Sequence, residues 1–408
     1  MTWRRWFDAL LVLALAWVAW RVLTLTFADQ LVAFNPGAAL AWRPDHPLAL
    51  SLRAEQLAKV GDWPQASALA RRALQHDPLQ ARAYRVLAAA AAARGDQATA
   101  LALYRIVARY WPRDLPTRRW LFNHHIQASE YPAAVADIDI MLRAEPHLIE
   151  PLSVTLVGLA TRPETQPAFL AVLAHAPWRG PVLAMVLRQA KDLDALGRLL
   201  DQLRGQSRGL EPTLASAWIE RLILDRRYAQ AYLQWRSELA AADRKVIGNV
   251  FNGDFTLTPS NTGFDWRLEA APGLHFDRLP AGEPADGLAL RIGFDGQRVL
   301  FQHVRQLLLL PATKYVLTGR VRVDDLQSDR GLIWELRCAD PDRLLAASAP
   351  WHGTAPWQDF RLNFEVPKTD CQAQWLWLKL PARIPSEQSI MGSIWFDHLR
   401  ITRLPAAP

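Results

Sequence analysis

The chain has 408 residues, half of them hydrophobic and 21% charged, which is too long for one ordinary core and too apolar for a disordered scaffold. Its net charge of +7 is a mild bias, and the Lys and Arg residues form neither a dense patch nor a recognisable nucleic-acid motif. The two cysteines, Cys338 and Cys371, lack the CxxC spacing of zinc and redox sites, so two or three folded domains without thiol chemistry are expected.

Residues Trp6 to Ala28 form an apolar stretch close to the ~20 residues that cross a bilayer. Arg4 and Arg5 precede it, and the positive-inside rule then places the N-terminus in the cytoplasm and the rest of the chain outside. Trp3, Trp6, Trp17 and Trp20 suit interfacial belts, whereas Asp8 and Arg21 interrupt the pattern, with Arg21 needing to snorkel. Two other readings stay open. The run Ala9 to Trp20 could be the apolar part of a cleaved signal peptide ending at Thr26-Phe27-Ala28, or the stretch could be a buried helix.

Helical patterning follows, and Pro44, Pro78, Pro112 and Pro146 are each separated by 34 residues. Gly61-Asp62-Trp63, Gly95-Asp96-Gln97 and Ser129-Glu130-Tyr131 recur as inter-helix turns, and small residues recur at Ala66, Ala100 and Ala134. Ala73, Val107 and Met141 share a second position, while Leu57 and Leu87 occupy places that pack between repeats. Each hairpin exposes an apolar face that only its neighbour covers, and proline closes the second helix. The pattern resembles the tetratricopeptide-repeat (TPR) family over about residues 47 to 146. Residues 147 to 209 keep helical patterning without the turns, and Trp218, Leu222, Tyr228, Ala231 and Trp235 return to TPR-like offsets. The resemblance implies one array over residues 30 to 245 whose concave face binds a protein partner, and it puts Arg82, Arg85, Arg119 and Asn123 on that face. The Arg119/Asn123 pair resembles half of a carboxylate clamp, with a solvated basic face as the alternative. His124-His125 has no carboxylate or Cys pattern beside it and reads as structural.

After Asp243 the composition changes to short alternating segments broken by Gly, Pro and Asp. Strands are expected at 287–292, 299–304, 315–323, 331–338, 360–366, 374–380 and 393–401, enough for a sandwich or jelly roll. Asn252-Gly253-Asp254-Phe255, Gly263-Phe264-Asp265-Trp266, the Pro311 to Thr318 run and Trp395-Phe396-Asp397 make residues 246 to 408 resemble the carbohydrate-binding-module-like, galactose-binding-like jelly rolls. That resemblance implies a structural calcium held by Asp254 and Asp397, with two ordinary surface acids as the alternative. Cys338 ends one expected strand and Cys371 begins another, so export would make them a disulfide. Glycan contact is expected of Arg320, Arg322, Glu335, Arg337, Trp375 and Trp377, unless the two Trp are covered by a loop or by the helical array.

The expected fold class is therefore multidomain α + β. It comprises a transmembrane helix over residues 1–29, a TPR α-solenoid over 30–245 and an antiparallel β-sandwich (jelly roll) over 246–408. The short span from Ala241 to Asn252 implies that the sandwich packs on the last helices. No GxSxG, HExxH, Walker, Rossmann or Cys/His constellation occurs, so no enzyme, and no required cofactor, is expected. The architecture resembles bacterial exopolysaccharide-associated inner-membrane scaffolds with a periplasmic bulk, a protein partner in the groove and polysaccharide on the sandwich. A protein-only envelope-assembly adaptor and a glycan-modifying enzyme are the alternatives.

Overall fold

A computed structural model describes residues 2–205, 210–282 and 287–405, with side chains from Leu11 onward, so Trp3, Arg4, Arg5, Trp6 and Asp8 lie outside the described side chains. Its contacts divide the chain into two units, Met1–Gly209 and Leu210–Pro408.

The first unit opens on α1 (Thr2–Leu31), whose segment Leu11–Leu31 is long and apolar enough to cross a membrane. Leu11 through Leu23 is exposed, which excludes the reading of a buried core helix. After α2 (Pro36–Trp42), six helices form three hairpins: α3 (Pro47–Lys59) with α4 (Trp63–His76), α5 (Ala81–Ala93) with α6 (Gln97–Tyr110), and α7 (Leu115–Gln127) with α8 (Tyr131–Ala144). First helices start at residues 47, 81 and 115 and second helices at 63, 97 and 131, a period of 34 in both series. The turns explain the recurrence. Gly61 and Gly95 close their helices at φ +84° and +82°, and Ser129 takes the same left-handed position at φ 60°. Asp62 and Asp96 then cap the next helix by accepting from the backbone N–H of Gln65 (3.2 Å) and Thr99 (3.0 Å). Ala66, Ala100 and Ala134 are completely buried where the two helices of each hairpin approach. Beyond Ala144 the helices shorten and leave the register: α9 (Ser153–Thr161), α10 (Gln166–Leu173), α11 (Arg179–Gln189) and α12 (Leu193–Arg204).

The second unit begins with the hairpin α13 (Pro212–Leu224) and α14 (Tyr228–Glu238), turned by Arg226 at φ 63°. Among the described residues ten strands follow: β1 (Arg267–Leu268), β2 (Leu274–Pro280), β3 (Leu288–Arg298), β4 (Val304–Leu308), β5 (Lys314–Gln327), β6 (Ile333–Ala339), β7 (Asp342–Ala347), β8 (Gly353–Glu365), β9 (Gln374–Lys379) and β10 (Ser389–Arg403). They form two antiparallel five-stranded sheets in the orders β1-β4-β9-β6-β7 and β2-β3-β10-β5-β8. Of the expected strand at 299–304, residues 299–303 are loop, and the pairing falls on Val304–Leu308. The three strands absent from the expectation, β1, β2 and β7, are all sheet edges, where half-solvated residues blur the alternation.

The inner faces meet in an aromatic core, with Trp334 edge-on to Phe396 at 5.1 Å and tilted against Trp266 at 5.9 Å. The sandwich packs on the last helices, as the short span implied. Trp235 of α14 lies edge-on to Phe251 at 4.9 Å and against Phe264 at 5.7 Å. Gly263 is required there, because a Cβ at this position would sit 2.4 Å from the Trp235 ring.

Cys338 at the end of β6 and Cys371 before β9 are joined as a disulfide across 33 residues. By loop-closure entropy such a link stabilises the fold by about 3–4 kcal/mol. Reduction, or Cys338→Ser with Cys371→Ser, is expected to lower the unfolding free energy of the second unit by about that amount. Urea melts followed by tryptophan fluorescence would measure it, and an unchanged midpoint would refute it.

Candidate functional site

Two of the four residues placed on the concave face of the array are already engaged. Both terminal nitrogens of Arg85 are bonded, one to Glu55 of α3 and one to Asp114, the residue that caps α7. Arg82 donates to Glu55 at 2.9 Å. These arginines stitch neighbouring hairpins together, so their charge is already met by carboxylates of the array. Burial alone would lower the Arg85 pKa, but the bonds and charges of Glu55 and Asp114 outweigh it and leave the group raised. Arg119 and Asn123 are exposed on α7. His125 is buried beside Asp137 (2.9 Å), which also binds Arg118 at 2.8 Å, and His124 stacks on Trp120.

The six residues considered for glycan contact fall on two different sheets. Arg320 and Arg322 lie on the outer face of the second sheet, through β5. Glu335, Arg337, Trp375 and Trp377 lie on the outer face of the first, through β6 and β9, so the six do not form one site. On the first sheet, Arg305 lies over Trp375 at 5.2 Å and Trp377 at 5.4 Å. Arg267 and Lys379 cover the ends of this ladder, and Arg267 is held by Glu220 of α13 at 2.8 Å. Glu335 binds Arg337 at 3.1 Å and Lys379 at 3.4 Å. Leu307, further along the same face, is buried beside Tyr232 and Trp235 of α14.

The second sheet carries a parallel arrangement that sequence did not single out. Trp395 of β10 sits between its register partners Arg322 and Arg291, at 4.7 Å and 5.9 Å. Its ring N–H donates to Asp324, and the guanidinium of Arg322 bonded to that carboxylate holds it below the usual range. Arg320 lies over Trp357 at 5.4 Å and near Asp359 at 3.8 Å. Beside them a cleft is lined by Thr318, Arg320, Phe360, Arg361, His398 and Arg400, with Asp359 at its rim. Three arginines against one aspartate give the lining of this cleft a positive balance, with Arg400 also paired to Asp254 at 3.3 Å.

Asp254 and Asp397 do come together. Gly253 approaches β10 so closely that a Cβ would stand 2.0 Å from the Leu399 carbonyl oxygen, and the Leu399 N–H donates to Gly253 at 3.0 Å. A bulge in β10 after Asp397, with His398 at φ 56°, turns the His398 side chain to the same place. One ligand atom from each of Asp254, Asp397 and His398 lies within 4.8 Å of the others. Asp397 is almost wholly buried, and its Oδ2 and Asp254 Oδ1 have no hydrogen-bond partner among the described residues. His398 Nδ1 makes a charge contact with Asp397 Oδ2 at 2.7 Å, and Arg400 reaches Asp254 at 3.3 Å. Burial pushes the Asp397 carboxyl up, His398 opposes the shift, and Asp254 adds to it. Two hard carboxylates are the donor type a divalent cation takes, with His398 Nδ1 and Arg400 held against them. Calcium would take its remaining ligands from backbone carbonyls and water.

The model of the bacterial transcriptional activator domain (BTAD) family matches residues 8–120, from α1 into α7 and little more than a quarter of the chain. Several solved structures are similar to a part of the chain. A carbohydrate-binding module titled "CBM4 structure and function" is 16% identical and covers 38% of this chain and 99% of its own (TM-score 0.29). The CBM22-1 xylan-binding domain of Paenibacillus barcinonensis Xyn10C is 12% identical, covering 38% and 94% (TM-score 0.27). A cyclase from Fischerella sp. TAU is 17% identical, covering 40% and 98% (TM-score 0.28). No curated protein sequence matches the chain significantly.

Arg85→Ala strands two partly buried carboxylates and is expected to cost about 3 kcal/mol in a melt followed at 222 nm, whereas Arg119→Ala on the exposed face should stay within about 0.5 kcal/mol. Equal costs would show that Arg85 is not the stitch described. At the acidic cluster, a carboxyl raised in the folded state stabilises most when protonated, and that stability is lost as pH rises through its folded pKa. Asp397→Asn is therefore expected to raise the melting temperature in EDTA at neutral pH and to remove any rise produced by calcium. An equal calcium response in both proteins would exclude Asp397 as a ligand.

Proposed function

We propose that the chain is a membrane-anchored, non-catalytic adaptor of bacterial surface-polysaccharide assembly, whose sandwich holds an acidic glycan and whose TPR-type array holds a protein partner. The observation that carries the glycan reading is the cleft beside Trp357, where Arg320, Arg361 and Arg400 surround apolar Phe360. Sugar rings stack on aromatic and aliphatic surface, and carboxylates on the same sugars pair with guanidinium groups. The 34-residue register of the three hairpins, with the same turn chemistry in each, supports the TPR assignment.

The length and exposed apolar sides of α1 support an anchor there, and Arg4 and Arg5 in the sequence support a cytoplasmic N-terminus. The disulfide accords with a periplasmic location. A calcium ion at Asp254 and Asp397 would be structural, fastening the first segment of the sandwich to its last strand. The rival reading, a protein-only adaptor with a structural sandwich, is favoured by one observation: Arg322 and Arg305 already stack on the outward-facing tryptophans.

Titration of the full chain in detergent with polygalacturonate fragments and with neutral dextran fragments separates the two readings. Binding to the acidic fragments alone is expected, weakened by salt and weakened at least tenfold by Arg320→Ala with Arg361→Ala. Trp377→Ala on the other sheet is expected to leave it unchanged. Absence of binding to any glycan would favour the protein-only adaptor.

A further inference from the structure

The end of α1 is not a bare membrane helix. α2 folds back along it, and the Trp42 ring lies between Phe27 (5.5 Å) and Trp20 (6.5 Å) of α1. The residues that follow Trp42 are polar and sit against the last turns of the same helix: His46 reaches Asp29 at 2.8 Å, and Arg43 pairs with Asp45 at 3.4 Å. Val32, Ala39 and Ala49 close a small apolar cluster there. If the hydrocarbon layer reached Leu31, this polar loop and the first turn of α3 would be dragged into it, where ionic groups are costly.

We infer, resting on the reading of α1 as a membrane span, that the outer hydrocarbon boundary lies at Trp17 to Arg21 and that Trp42 of α2 is a second interfacial anchor, seating the first hairpin on lipid headgroups. Trp20 and Phe27 are seven residues apart, ~10 Å along a helix, so with Trp42 between them they form an aromatic layer deep enough to cross the headgroup region. Its rings are exposed to what surrounds the helix: Trp20 by 59%, Phe27 by 47% and Trp42 by 44%. Arg21 lies 5.9 Å from the Trp17 ring and falls at the boundary itself, where a guanidinium belongs, rather than two-thirds of the way across. From Arg5 to Arg21 the helix rises about 24 Å, and local thinning of the bilayer meets the difference from a ~30 Å hydrocarbon core. Asp29, His46, Arg43 and Asp45 all fall on the aqueous side.

Nitroxide depth measurements test this in the full chain, whose native cysteines are paired. Labels at Leu15→Cys, Leu23→Cys, Phe34→Cys and Trp42→Cys are read by oxygen and nickel-chelate accessibility in phosphatidylcholine/phosphatidylglycerol vesicles. Leu15 is expected deep in hydrocarbon, Leu23 and Trp42 at headgroup level, and Phe34 in water. Leu23 and Trp42 as deep as Leu15 would overturn the boundary, and Trp42 as wet as Phe34 would overturn the anchor. Leu15 itself in water would defeat the membrane span instead, a separable failure.

Discussion

A helical hairpin can cover only one of its apolar faces, and much of this molecule answers that constraint. Within the array each hairpin is covered by the next, and completely buried alanines at a 34-residue spacing let the helices come close. At the start of the chain the cover is α1, whose Leu31, with Val32 just beyond it, packs with Ala39 and Ala49. In the second unit the hairpin α13–α14 presents Trp235, and the sandwich covers it with Phe251 and Phe264. Gln306 fixes Phe251 in place by pairing with both its N–H (3.0 Å) and its carbonyl (2.9 Å), so a buried amide does there what a neighbouring strand would do.

The two outer faces of the sandwich use the same device, arginine over tryptophan flanked by carboxylates, and differ in what lies beside it. On the first sheet the ladder runs into the α13–α14 contact, with Arg267 tied to Glu220 and Leu307 under α14. There the stacked cations complete an interface within the unit. On the second sheet the ladder of Arg291, Trp395 and Arg322 borders a cleft with an excess of positive charge. Stacking orients a guanidinium without neutralising it, and in this ladder the charge is met by carboxylates, Asp324 on Arg322 and Asp277 on Arg291.

What was legible in the sequence follows from which residues carry local meaning. Gly61, Gly95, the recurrent prolines and the small residues are dictated by backbone geometry, so they announced the helices directly. The interior strands β5, β6, β9 and β10 alternate strongly because one face is dry, and they were placed nearly where they lie. Alternation tells which residues share a face of one strand, but not which sheet the strand joins. For that reason Arg320 and Arg322 were grouped with Trp375 and Trp377, although β5 and β9 belong to opposite sheets. Glu55, Arg85 and Asp114 meet from three successive hairpins, at separations near one repeat, yet nothing local marks them as partners. His398 escaped notice because its direction depends on a bulge that only the pairing of β10 reveals.

The packing of α1 also bears on whether the segment is retained. Cleavage after Thr26-Phe27-Ala28 would cut a continuous helix at a residue that is completely buried. It would remove the Phe27 and Trp20 rings from Trp42 and leave Asp29, the partner of buried His46, as a frayed terminus. A signal sequence discarded after export has no cause to contribute buried contacts to the mature fold. Here the last turns of the apolar helix serve as the covering element for α2 and α3, a role they can fill only if they stay. On the proposed reading of α1 as a membrane span, the retained helix would be part of the first layer of the array, continuous from membrane to first hairpin.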